Sequence, residues 1–187
     1  KFGDNYKGIQ IFYALQTFDE NERDRPWGTG DALCSAKEIL KEGFVVCNGD
    51  DIYGEGAFKI LYKHLQESEA NQKHLQNENK RYPNAFDLDE ASLGYKLIDV
   101  VPENGKVHRA VFQIDSQGFI KDLVETFNIE KYNLQATGTK AEDLVSMNIF
   151  ALHPKVIEFL AENLEIFKKE NKGNRKIEFL LPTELSK

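Results

Sequence analysis

The chain has 187 residues, with 24 Lys+Arg against 31 Asp+Glu, a formal net charge of −7 and 41% apolar residues. This composition excludes general disorder, and no apolar run reaches the ~20 residues that span a bilayer. An acidic balance argues against binding along a nucleic-acid backbone, which needs clustered Lys and Arg. It leaves room for a small anionic ligand held by a few local groups and a metal. The length fits a single domain. Cys34 and Cys47 lie in apolar stretches and read as buried free thiols of a soluble, cytoplasmic protein, not as a disulfide framework.

Residues 8–16 are rich in β-branched and aromatic side chains and predict a strand, followed by a polar loop over 17–27. From Asp31 onward, Ala32, Leu33, Ala36, Ile39 and Leu40 recur at helical spacing until Gly43. The short apolar run Phe44-Val45-Val46-Cys47-Asn48 fits a parallel strand buried on both faces. Ala57, Ile60, Leu61, His64 and Leu65 define another amphipathic helix. This alternation predicts an α/β fold with a mainly parallel sheet flanked by helices. Residues 66–90 are polar and nearly aperiodic and read as a helix tail and a mobile loop. Strands follow at 92–98, 107–115, 119–125 and 145–152, with Glu103-Asn104-Gly105 and Ser116-Gln117-Gly118 as hairpin signals. Pro154 opens a helix whose apolar face is Val156, Ile157, Leu160, Leu164 and Phe167.

Two segments carry the chemistry. Asn48-Gly49-Asp50-Asp51 places carboxylates at the end of the apolar run, the edge at which open α/β sheets bind ligands. A carboxylate there suits Mg²⁺, which takes one or two carboxylates with phosphate oxygens and water. It equally suits a turn or helix-capping Asp. Gly28-Thr29-Gly30-Asp31 puts small residues and free N–H groups where a ligand can approach, or forms an ordinary turn capped by Thr29 or Asp31.

In order, Gln16, Gly28-Thr29-Gly30 and Asn48-Gly49-Asp50 resemble the sugar-phosphate nucleotidyltransferase family, related in fold to glycosyltransferase-A domains. Pro26-Trp27, the strand pair leading to Glu125, Val145-Ser146-Met147-Asn148-Ile149-Phe150 and Phe179-Leu180-Leu181-Pro182-Thr183 extend the resemblance over nearly the whole chain. It implies a Rossmann-like sheet with a β-rich sugar-binding insertion. It implies nucleotide binding by Gln16, Gly28, Thr29 and Gly30, and sugar contacts from Glu125 and Asn148. Asp50 becomes the catalytic metal residue for Mg²⁺, with a nucleoside triphosphate and a sugar-1-phosphate as substrates. Asp51 falls to a turn or outer position. No Gly-x-Gly-x-Arg segment precedes Gln16, and Glu125-Thr126-Phe127 lacks the Lys that many relatives carry there, with Lys131 as a substitute. The resemblance therefore implies a domain truncated at both ends, inactive as residues 1–187 alone.

The four histidines have no metal-ligand spacing, and His64 reads as a packed histidine on an apolar face. Cys47 is no nucleophile if buried in a strand. Trp27 serves either to stack on a base or to cover a sheet edge, and Lys168-Lys169 and Arg175-Lys176 read as a solvated helix end. Two other functions compete: a glycosyltransferase, for which Asp50-Asp51-Ile52 lacks the second spaced carboxylate, and a regulatory module that binds nucleotide without turnover.

Overall fold

The computed structural model describes residues 3–77 and 89–186, with 71–77 as backbone only. Two compact units emerge: one formed by residues up to Gly43 together with His153–Glu184, the other by Phe44–Leu152 with the last residues from Leu185. The chain passes from the first into the second and back.

In the first unit, β1 (Asn5–Tyr6) and β2 (Ile9–Gln10) form a two-residue antiparallel ladder. The strand expected over residues 8–16 is thus confined to Ile9–Gln10. β propensity needs a neighbouring strand to receive the backbone groups; beyond Gln10 there is none among the described residues, and Phe12, Tyr13 and Leu15 are exposed. Helix α1 (Thr29–Cys34) is also shorter than its periodicity predicts. After Cys34 the chain tightens into i→i+3 turns, Ala36 N–H to Leu33 O at 3.0 Å and Lys37 N–H to Cys34 O at 3.1 Å. Helix α4 (Pro154–Glu170) follows its expected pattern, with Pro154 in the first turn and Ile157, Leu160 and Leu164 buried. Phe179, wholly buried, meets Phe167 edge-on at 5.2 Å between ring centroids. A short helix, α5 (Leu181–Leu185), follows it.

The second unit is a five-stranded sheet covered by a long helix. Its strands are β3 (Phe44–Val46), β4 (Ala91–Lys96), β5 (Val107–Ile114), β6 (Ile120–Ile129) and β7 (Leu144–Leu152). The class is mixed α and β, and every strand pairing among the described residues is antiparallel. The parallel, doubly buried strand expected at Phe44 is instead a half-buried strand antiparallel to β7. β4 and β5 do not form the hairpin that Glu103-Asn104-Gly105 signals. A helical turn, α3 (Leu97–Val100), intervenes, and the two strands take opposite edges of β7. Ser116-Gln117-Gly118 does join a hairpin, β5 to β6, with Asp115 Oδ1 accepting from the N–H groups of Gln117 and Phe119.

Helix α2 (Ala57–Asn77) packs Ala57, Leu61 and Leu65 against Ile149 and Ala151 of β7. It runs twelve residues into the segment expected to be a mobile loop over 66–90. The Gln, Glu, Ala, Lys and Leu residues there are good helix formers, so a weak apolar period does not end the helix. The rest of that segment, 78–88, lies outside the described residues. A second cluster, Leu97, Val101, Val111, Ile129 and Val145, closes the other end of the sheet.

Candidate functional site

β7 organises the second unit's candidate residues. On one edge it pairs with β4 at both of its ends. On the other it changes partner, from β5 at Val145 to β3 at Phe150–Leu152. Ser146–Ile149 lie between the two partners. Here β7 bulges: Ser92 faces Phe150 while Gly94 faces Ser146. Asn148 sits in the bulge at φ 56, and its N–H donates to Ser146 Oγ at 3.1 Å. A left-handed residue other than glycine inside a strand is a strained conformation of the kind that gathers at functional sites, and Asn tolerates it better than most. Asn148→Gly should leave stability unchanged or raise it by about 0.5–1 kcal/mol, since glycine adopts this φ freely. Urea unfolding checks this; a loss above ~1 kcal/mol would mean the side chain, not the backbone, holds the bulge.

The ladder of β3 with β7 ends at Val46 opposite Phe150, and two residues further along each chain come Asn48 and Asn148. The loop after β3 is held by a small polar network. Tyr53, buried, accepts the Asn48 N–H at 2.9 Å and reaches Asp51 Oδ2 at 3.4 Å, and Asn48 Nδ2 donates to the same oxygen at 2.9 Å. Tyr95 Oη donates to the Tyr53 carbonyl at 2.9 Å. Burial, aided by the Asp51 charge, pushes the Tyr53 phenol up to about 12, so it remains a donor at neutral pH. Asp51 is therefore the structural carboxylate of the loop, and Asp50 is exposed beside it.

Glu125 lies on β6, exposed, opposite Ala110 of β5. It is two strands away from β7. Lys131 is engaged elsewhere, with Nζ 2.6 Å from Glu103 Oε1. Cys47 is exposed, not buried as expected, because β3 ends at Val46.

In the first unit, Gln16 meets the Gly28-Thr29-Gly30 segment directly. Its Nε2 donates to Gly28 O at 3.0 Å and to Asp31 Oδ2 at 2.6 Å, and Lys168 Nζ donates to Asp31 Oδ1 at 3.0 Å. Asp31 is buried, and these two partners compensate the cost of its charge. Lys168 is thus engaged and half-buried, not a free solvated end of the helix. Arg175, past the end of α4, stays exposed and donates to Asp24 Oδ1 at 2.7 Å.

The glycines answer to packing. A Cβ on Gly30 would stand 2.5 Å from Phe179 Cδ1, and one on Gly28, at φ 108, would stand 2.8 Å from Phe179 O. The Gly30 N–H expected to be free donates to Phe179 O at 3.0 Å, and Thr29 Oγ1 accepts from Leu181 N–H at 3.0 Å. Trp27 carries the Arg23 guanidinium over its ring at 3.5 Å, so that face is not open to a base. Arg23, buried, donates to the carbonyls of Arg25, Asn174 and Ile177, and neither its burial nor that of Asp31 was legible in the sequence. The only hint was charge in a segment otherwise read as loop and turn.

Among the described residues no group of three or more His, Cys, Asp or Glu could hold a metal, and no helix is long and apolar enough to cross a membrane. No protein-family model matches the chain, and no curated protein matches it.

Proposed function

We propose that the protein is a Mg²⁺-dependent nucleotidyltransferase joining a nucleoside triphosphate to a sugar-1-phosphate, with a nucleoside-diphosphate sugar and pyrophosphate as products. The reading places it in the cytoplasm, with β4 and the β5–β6 hairpin forming the sugar-binding insertion of a Rossmann-like α/β domain. The observation that supports it most is the strained Asn148 on β7 at the level where the Asp50 loop leaves β3.

A lone exposed carboxylate does not form a protein cage for a metal, but it fits Mg²⁺, which completes its shell with water and substrate phosphates. In this reading Asp50 would hold Mg²⁺, which would supply charge neutralisation for the reacting phosphates. The other residues bind and orient. Gln16 and Thr29 take the base, Gly28 and Gly30 keep their loop in shape, and Glu125 and Asn148 take sugar hydroxyls. A phosphate oxygen of the sugar-1-phosphate attacks the α-phosphorus as the α–β bridging oxygen leaves with pyrophosphate. The protein's work is alignment and charge compensation.

In the full-length protein, Gln16→Ala should raise the KM for the nucleotide by about 5- to 150-fold, corresponding to ~1–3 kcal/mol for a base edge left unpaired. Steady-state pyrophosphate release measures it, and unchanged affinity for every nucleoside triphosphate places the base elsewhere. One observation favours a second reading, a module that binds nucleotide without turnover: no acidic cluster supports Asp50 among the described residues. Nucleotide binding without pyrophosphate release would select it.

A further inference from the structure

Asp31 is a buried carboxylate in contact with a residue assigned to ligand binding, and its geometry constrains what that residue offers. Gln16 faces two oxygens, Gly28 O at 3.0 Å and Asp31 Oδ2 at 2.6 Å. A peptide carbonyl and an ionised carboxylate accept hydrogen bonds and donate none, so the amide edge turned toward them must be the NH₂. The reverse orientation would set Oε1 against two acceptors. Lys168 Nζ donates to the other Asp31 oxygen at 3.0 Å, so both carboxylate oxygens serve as acceptors.

We infer that Asp31 is a positioning residue that locks the Gln16 amide, so that the group presented to a ligand is the acceptor Oε1 and the ligand must bring an N–H donor. This rests on the base-binding role proposed for Gln16 and deepens it: the base is read through a ring or exocyclic N–H. Thr29 adds a complementary donor. Its oxygen already accepts from Leu181 N–H, which directs the hydroxyl proton away from that contact. Both groups belong to one unit of the chain.

The test has two independent arms on the full-length protein. In the first, NMR follows the Gln16 side-chain NH₂. The wild type should show two resolved, exchange-protected protons. Asp31→Asn should abolish that protection, because a carboxamide both donates and accepts and lets the Gln16 amide turn. Lys168→Met, which leaves the carboxylate in place, should retain it.

In the second arm, isothermal titration calorimetry follows binding of UTP, TTP, GTP, ATP and CTP. The tightest binder is then compared with its analogue methylated at the base N–H. The wild type should lose at least about tenfold in affinity on methylation, because the Gln16 acceptor loses its donor and meets a methyl group, and Asp31→Asn should reduce that discrimination to within about threefold. Protection that survives Asp31→Asn overturns the inference, as does a wild type that binds the methylated analogue as well as its parent. The wild-type arms decide alone if Asp31→Asn fails to fold. A locked amide in a protein that binds no nucleotide overturns the base-binding role of Gln16 and leaves its positioning by Asp31 supported.

Discussion

Replacing Asp50 by alanine in the full-length protein should lower Mg²⁺-dependent pyrophosphate release by at least about a thousandfold, equivalent to ~4 kcal/mol of transition-state stabilisation. Stability should change by less than about 0.5 kcal/mol, because the side chain is exposed and lies outside the network of its loop. Asp51→Ala should show the opposite balance. It strips the acceptor from Asn48 Nδ2 and Tyr53 Oη, both held in the loop after β3. A stability loss of about 1–3 kcal/mol with a milder fall in turnover is the expected pair of results. Near-normal turnover of Asp50→Ala at saturating Mg²⁺ would reject Asp50 as the metal residue. Equal loss of turnover in both variants, with stability intact in both, would place the two carboxylates together in the site.

The second large effect concerns packing. Phe179 is wholly buried, meets Phe167 edge-on and fills the space that the missing side chains of Gly28 and Gly30 leave. Phe179→Ala should cost about 3–5 kcal/mol, the range for emptying a core aromatic site. Against a total stability of roughly 5–15 kcal/mol, that is enough to bring the first unit close to unfolding at 25 °C. Urea denaturation followed by Trp27 fluorescence reads it, since Trp27 and Phe179 share the same cluster through Phe167. A loss below ~1 kcal/mol would show that the glycine segment and the 178–181 segment do not depend on this ring. Gly30→Ala should be destabilising too, because its Cβ would stand within 2.5 Å of the Phe179 ring.

What was legible in the sequence follows the range of the interactions. α4 stood out because it carries its own apolar period, and Ile157, Leu160 and Leu164 lie buried where that period places them; β7 spans the strand expected over 145–152. The strand expected over residues 8–16 shrank to Ile9–Gln10 because composition reports propensity and not the presence of a neighbour. The antiparallel sense of β3 was hidden for the same reason: a three-residue apolar run does not say which way its partner runs.

The candidate site was legible as residue types in order, not as contacts. Gln16 and Gly28 do meet, over twelve residues of chain. The reason for two glycines lies in Phe179, about 150 positions away, and spacing alone pointed instead to a ligand's approach. Asp31 looked like a helix cap; its partners are Gln16 and Lys168, the latter 137 positions away. Asn148 was singled out by motif, while its left-handed backbone is a property of the bulge between β4 and β7, which no local pattern encodes.

The reaction itself is followed by ³¹P NMR of the full-length protein with Mg²⁺, each nucleoside triphosphate in turn and a panel of sugar-1-phosphates. One pairing should yield pyrophosphate and a nucleoside-diphosphate sugar in equal amounts, with the signals of both substrates falling together. Hydrolysis of the triphosphate to diphosphate and inorganic phosphate, or no consumption with any pairing, would contradict it.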